Sequence, residues 1–112
     1  MKQNALAFQT LDSYLAAKEL ARRVHTARIT DPELRDQATR AAKSTFLNLC
    51  EGLPNTTGPM RQKYFQAAQG SLYETLGAMD LAGAIGAAQP EDAAAVQELG
   101  VSLVQMMRGL LR

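Results

Sequence analysis

The sequence predicts an all-α protein, an antiparallel up-down four-helix bundle formed by a single domain over residues 1–112. Apolar residues recur at three- and four-residue spacing in each long segment, and no strand-like alternation extends far enough to compete. Helix starts that contain Pro32, Pro59 and Pro90 divide the chain into four segments, since proline is tolerated in the first helical turn. The connections between the segments are short, which favours antiparallel neighbours. A length of 112 residues, with 46% apolar and 21% charged residues, suits one hydrophobic core and is too short for two.

The first predicted helix covers approximately residues 4–28 and has apolar side chains on two sides. The two patches lie roughly opposite each other at the helical period. They consist of Phe8, Leu11 and Leu15 on one side, and of Ala17, Leu20, Ala21 and Val24 on the other. A surface helix needs only one apolar stripe. We therefore expect this helix to contact neighbours on two sides and the chain to form a homo-oligomer.

The second predicted helix begins at residues 30–33, Thr-Asp-Pro-Glu, where an N-cap residue, a proline and an acidic first-turn residue agree. It ends at Gly52 and Pro54, because glycine tolerates the left-handed C-terminal cap and proline cannot continue the hydrogen-bond pattern. The side facing the core is formed by Leu34, Ala38, Ala41, Ala42, Thr45 and Leu49.

The third predicted helix runs from Pro59 to about Gly86, and the fourth begins at Gln89-Pro90 with two acidic residues in its first turn. Each has one apolar arc: Tyr64, Phe65, Ala68, Leu72, Thr75, Leu76, Met79 and Ala82 in the third helix, and Val96, Leu99, Leu103, Met106, Met107 and Leu110 in the fourth. On the back of the third helix, Gly70, Gly77 and Ala84 recur at intervals of seven. Because an interior glycine costs a helix about 1 kcal/mol, this stripe predicts a second helix lying very close.

Charge is divided unevenly along the chain, although the net charge is only +1. Residues 1–63 contain ten Lys and Arg against six Asp and Glu, whereas residues 64–112 contain two against five. Most of the basic excess lies between Arg22 and Lys43. Such asymmetry points to an anionic partner; the alternative is a solvated, mixed-charge helical surface.

The sequence lacks the residues that most enzyme and metal sites require. One cysteine, Cys50, excludes an intrachain disulfide and a multi-cysteine metal site, and one histidine, His25, excludes paired-histidine sites. No phosphate-binding glycine loop, nucleophile elbow, signal segment or membrane span is recognisable. We expect a cytoplasmic protein with no catalytic residues, no metal and no cofactor, in which Cys50 is a packed thiol and His25 a solvated side chain.

Two motifs give the chain a family resemblance. Residues 40–52, Arg-Ala-Ala-Lys-Ser-Thr-Phe-Leu-Asn-Leu-Cys-Glu-Gly, and residues 68–74, Ala-Gln-Gly-Ser-Leu-Tyr-Glu, resemble the two signatures of the 23S rRNA-intervening sequence protein family. The resemblance implies a four-helix bundle that assembles as a ring, commonly a pentamer, without established catalysis. It also implies a relation to the Avd accessory proteins of diversity-generating retroelements, which bind reverse transcriptase and RNA.

The polar residues of these motifs predict a ridge where the second and third helices meet. They are Arg40, Ser44, Asn48 and Glu51 on the second helix and Gly70, Ser71 and Glu74 on the third. Gly70 would let the helices approach, and Arg40 and Glu74 would pair or share a network with Ser44 and Asn48, since satisfied buried networks fix register. The alternative is a catalytic acid–base pair formed by Glu51 and Glu74, but no nucleophile or metal site accompanies these two carboxylates in the sequence.

Two functions remain open at this point. The first is a non-enzymatic, ring-forming adaptor that binds RNA, or an RNA-binding protein such as a reverse transcriptase, through a basic surface on the first two helices. The cations of that surface are Arg22, Arg23, Arg28, Arg35 and Lys43. The alternative is a purely protein-binding or structural oligomer with no affinity for nucleic acid.

Overall fold

A computed structural model describes residues 11–54 and 58–111, and four helices account for most of these residues. The helices are α1 (Asp12–Thr26), α2 (Pro32–Gly52), α3 (Gly58–Ala84) and α4 (Pro90–Leu111), and the described ranges contain no strand. The all-α, four-helix prediction is therefore confirmed. Residues 4–10 of the predicted first helix, including Phe8, lie outside the described residues.

Each helix packs against two others, so that the four close into a bundle: α1 on α2, α2 on α3, α3 on α4, and α4 on α1. The most extensive contact joins α2 and α3. Neighbouring helices run antiparallel. Gln37 of α2 is bonded to Glu74 of α3, whereas Leu53 just beyond α2 is bonded to Arg61 near the start of α3.

Local chemistry fixes the helix ends. The Asp31 carboxylate accepts a hydrogen bond of 2.9 Å from the Leu34 amide, and Pro32 occupies the first turn, so the predicted start of α2 is confirmed. Thr30 donates its amide to the Ala87 carbonyl at 2.8 Å, which ties the α1–α2 connection to the α3–α4 connection. Gly86 adopts a left-handed backbone with φ of 78° after the end of α3, a conformation that favours glycine.

The core is formed by the apolar arcs that the sequence predicts. The largest fully buried side chains are Phe65, Leu20, Leu49, Leu72, Met79, Leu103, Met107, Val24, Val96, Thr45 and Thr75. The two threonine hydroxyls donate to the carbonyls four residues earlier, Ala41 and Ser71, at 2.9 and 2.8 Å. Of the two patches on α1, the one with Leu20 and Val24 enters the core.

Gly52, Gly83 and Gly100 permit close packing, but they are not the glycines that the sequence singled out. A Cβ atom on Gly52 would lie 2.7 Å from the Phe65 ring, and one on Gly100 would overlap the Leu76 side chain. By contrast, Gly70 and Gly77 are exposed, and a Cβ atom on either would meet no neighbouring atom of the described residues within 4 Å. The stripe of Gly70, Gly77 and Ala84 therefore faces outward, and no helix among the described residues lies close to it. Whether a helix of another copy does so stays a prediction.

Candidate functional site

A polar seam joins α2 and α3 near the middle of both helices. The hydroxyl oxygens of Ser44 and Ser71 are 2.7 Å apart. Asn48 donates from Nδ2 to the Ser44 carbonyl at 2.8 Å and to the Ser44 hydroxyl at 3.1 Å. All three side chains are half-buried. Three of the predicted ridge residues are therefore brought together, and their hydroxyl and amide groups link the two helices in one register.

The charged members of the predicted ridge do not meet. The Arg40 guanidinium forms a 3.2 Å ion pair with Asp36 on its own helix, and Glu74 accepts a 2.6 Å hydrogen bond from Gln37. Both Arg40 and Glu74 are exposed. The predicted pairing of Arg40 with Glu74 is wrong, because a carboxylate one turn away on α2 lies closer to Arg40.

Gly70 and Glu51 also differ from the prediction. Gly70 lies on the outer face of α3 and does not bring α2 and α3 together; Gly52 does so against the Phe65 ring. Glu51 is exposed and takes part in no hydrogen bond or salt bridge among the described residues. Gln37, the partner of Glu74, was not among the predicted ridge residues, although it is seven residues before Ser44 and thus on the same side of α2. That spacing was the signal that could have found it.

The exposure of Glu74 changes what its replacement should do. Glu74→Ala removes only a solvated contact, so we expect the free energy of unfolding to change by no more than about 0.5 kcal/mol. Ser71→Ala removes the half-buried bond to Ser44 and should cost about 1 kcal/mol. Urea denaturation of both variants measures which substitution lowers the free energy of unfolding more. A larger loss from Glu74→Ala than from Ser71→Ala would contradict this assignment of the seam.

The five candidate nucleic-acid-binding cations fall into two groups. Arg22 and Arg23 both pair with Glu19, at 2.7 and 3.0 Å. The Arg22 hydrogen bond is the largest cause that lowers the pKa of the Glu19 carboxyl, from 4.5 to about 2. Arg28, Arg35 and Lys43 are exposed and form no salt bridge with the described residues.

These cations lie near one another along the chain, around the connection between α1 and α2. Arg22 and Arg23 lie in the last turns of α1, Arg28 follows it in the connection, and Arg35 lies in the first turn of α2. Lys43 is two turns further along α2. The acidic residues Glu33 and Asp36 belong to the same segment, so the surface is basic but interspersed with carboxylates.

The surface of the described residues includes two depressions beside α4. The first is a groove of about 430 Å³ between α3 and α4, lined by Tyr73, Leu76, Gly77, Asp80, Gln97, Val101, Val104, Gln105 and Arg108. The second is a more polar depression of about 490 Å³ between α1 and α4, lined by Glu19, Arg23, Ala95, Glu98, Leu99 and Ser102. The first groove combines apolar walls with one carboxylate, Asp80, and one guanidinium, Arg108.

Cys50 and His25 have ordinary structural surroundings. Burial, followed by the charge of Glu51, raises the pKa of the Cys50 thiol, which disfavours the reactive thiolate. The His25 ring donates from Nδ1 to the Ala21 carbonyl at 2.9 Å and is exposed. Within residues 11–54 and 58–111, no cluster of three His, Cys, Asp or Glu side chains could hold a metal ion, and no helix is long and apolar enough to cross a membrane.

The fold and the seam define a class of protein: a four-helix bundle whose second and third helices are linked by serine and asparagine side chains. The family model for the 23S rRNA-intervening sequence protein matches residues 9–109, and the chain belongs to this family. No curated protein matches the chain significantly.

Proposed function

We propose that this chain is a non-enzymatic, cytoplasmic, ring-forming adaptor whose copies assemble as a homo-oligomer. One observation carries the proposal: among the described residues, large apolar side chains stay exposed on several faces of the bundle. They are Leu11, Leu15, Leu47, Met60, Tyr73, Leu81, Ile85 and Val101. Leu11 and Leu15 are four residues apart on one helix face, and so are Leu81 and Ile85. Single exposed apolar residues are common, but neighbouring ones form the patches that mark interaction surfaces. The pentamer is the ring size that the family resemblance implies.

The mass of the protein in solution tests this assembly. We expect light scattering coupled to size exclusion to give about five times the chain mass of 12.1 kDa at micromolar concentration. Dilution should dissociate the ring directly into monomers. A partial ring should not accumulate, because its two ends lack the contact that closes the ring. A monomer at every concentration up to the millimolar range would contradict the proposal.

RNA binding is a second candidate, and three of its five candidate cations, which form no salt bridge with the described residues, favour it. Arg28, Arg35 and Lys43 are free to meet phosphates, and the exposed Arg22 and Arg23 pairs with Glu19 are weak enough for phosphate to compete. A ring would repeat these cations in every copy, so that weak contacts add through effective concentration. An RNA-binding protein such as a reverse transcriptase, bound together with its RNA, would use the same surface.

A charge-reversal titration separates RNA binding from the protein-only alternative. We expect structured RNA to bind at low salt and to weaken steeply as salt rises, because phosphate contacts release counterions. Arg28→Glu with Arg35→Glu should reduce the affinity at least tenfold. Lys63→Glu, an exposed cation on α3 outside this surface, is the control and should reduce it less. Absence of binding at low salt would favour a purely protein-binding or structural oligomer.

A further inference from the structure

We propose that the groove between α3 and α4 receives the outward face of α1 from a second copy of the chain. The proposal rests on the proposed self-assembly and names the two surfaces that meet. Because the groove and the α1 face are different surfaces, the contact is heterologous. Such contacts close into a ring when the rotation between copies permits.

The groove has the shape and apolar walls that a helix needs. Tyr73 and Val101 are 48% and 46% exposed at its sides, although both are large apolar side chains. Leu76 and Val104 line its base. Gly77 also lines the groove and has no side chain, so its position leaves space next to the backbone of α3.

Opposite charges lie toward the two ends of the groove. Leu76 of α3 faces Gly100 of α4. Asp80 lies four residues beyond Leu76, and Arg108 eight residues beyond Gly100, in opposite directions because the helices are antiparallel. Their backbones are therefore about 18 Å apart along the axis at the helical rise. Neither residue forms a salt bridge with the described part of the chain, so both charges are available to a partner.

The outward face of α1 has the complementary pattern. Leu11 and Leu15 are 45% and 49% exposed, and their side of the helix is opposite the buried Leu20 and Val24. The exposed cations Lys18 and Arg22 follow on the same face, Arg22 in an exposed ion pair with Glu19 from which it would have to turn, and the exposed Asp12 lies near its beginning.

These charges match the groove when the α1 of one copy runs parallel to the α3 of the next. Asp12 and Arg22 are separated by about 15 Å at the helical rise, close to the spacing of the groove charges. Arg22 then lies beside Asp80, with Lys18 about one turn before it, and Asp12 lies beside Arg108. Leu15 lies between the charged ends, on the Arg108 side of Tyr73 and Val101, and Leu11 lies at the Arg108 end of the groove. This order of charge and apolar groups selects a second copy as the occupant.

Surface substitutions on each side test the contact in the full chain. Leu15→Glu alters the α1 face and Val101→Glu alters the groove; we expect each to raise the dissociation constant at least tenfold in sedimentation velocity. Leu47→Glu is the matched control, because Leu47 is 57% exposed on α2, away from both surfaces, and it should assemble as the unaltered chain does. Circular dichroism establishes that each variant is folded.

A mixing experiment is specific to a heterologous contact. The Leu15→Glu chain keeps an intact groove, and the Val101→Glu chain keeps an intact α1 face. We expect the two monomeric variants to form a dimer when mixed and to form nothing larger, as read by native mass spectrometry.

A charge exchange gives a second, independent measurement. Asp80→Lys should weaken assembly, and the further changes Lys18→Glu and Arg22→Glu in the same chain should restore it. An unaltered chain that is monomeric would contradict self-assembly itself. If the unaltered chain assembles but the Leu15→Glu and Val101→Glu variants assemble equally well, the proposed contact is wrong and self-assembly stands. The same conclusion follows if the mixture of the two variants stays monomeric.

Discussion

Phe65→Ala is expected to lower the free energy of unfolding by about 3–5 kcal/mol, the usual cost of truncating a buried aromatic side chain. Phe65 is 0% exposed and lies where α2 ends and α3 begins. Its ring contacts the backbone at Gly52 and lies 5.0 Å below the Arg61 guanidinium.

Urea denaturation monitored by circular dichroism measures this loss, which is a large fraction of the typical 5–15 kcal/mol stability of a domain. Leu47→Ala serves as the control, since Leu47 is exposed and its truncation should change stability by no more than about 0.5 kcal/mol. Both variants should be compared at a concentration at which the protein is monomeric, so that assembly does not add to the measured stability. A loss under about 1.5 kcal/mol for Phe65→Ala would show that the site collapses around the smaller side chain.

The features that local chemistry determines could be predicted from the sequence. The start of α2 follows from Asp31 and Pro32, whose cap and proline act on their own helix and need no partner elsewhere. The buried arcs of α3 and α4 follow from periodicity alone, because apolar side chains on one face must leave water wherever the neighbours lie. Phe65, Leu72 and Leu103 are buried for this reason.

The polar pairs could be predicted only in part. Ser44 and Ser71 are short side chains, so the closeness of two backbones determines whether they meet. Arg40 is long and exposed, and Asp36 four residues earlier is available in any arrangement of the bundle. Sequence spacing gives the helix face on which a residue lies. Whether its side chain pairs on its own helix or across the interface depends on distances between helices, which the sequence does not contain.

The two proposals share Arg22 but otherwise rest on different cations. Lys18 and Arg22 lie on the α1 face that we assign to assembly, whereas Arg28, Arg35 and Lys43 lie outside it, in the α1–α2 connection and on α2. A ring built through the α3–α4 groove would therefore leave the second group exposed in each copy. RNA binding and assembly can then be disrupted separately, by Arg28→Glu with Arg35→Glu and by Leu15→Glu respectively.

The glycines show where periodicity misleads. Gly70 and Gly77 repeat at a regular interval and suggest a close helix, yet they face outward, whereas the isolated Gly100 of α4 is buried against Leu76. Repetition on one helix shows only that the residues share a face. Which face meets a neighbour is decided by the larger apolar arc on the other side of α3.

Gly100→Ala and Gly70→Ala are accordingly expected to change stability in opposite directions. Both replacements gain roughly 1 kcal/mol of helix propensity, but the new methyl group on Gly100 would overlap the Leu76 side chain. Overpacking of this kind costs about 1–3 kcal/mol, so Gly100→Ala should be destabilising on balance. Gly70 lies in open space and should keep the whole gain.

Thermal and urea unfolding of the two variants measure the difference between them. The double variant Gly100→Ala with Leu76→Ala identifies its cause. Leu76 is only partly buried, and removing its side chain relieves the overlap, so Gly100→Ala should be less harmful in the Leu76→Ala background than in the unaltered chain. Equal effects of Gly100→Ala in both backgrounds would show that Leu76 rotates away at little cost. A gain in stability from Gly100→Ala alone would show that α3 and α4 separate easily at this point, and the groove beside Gly77 would then be wider than the structure gives.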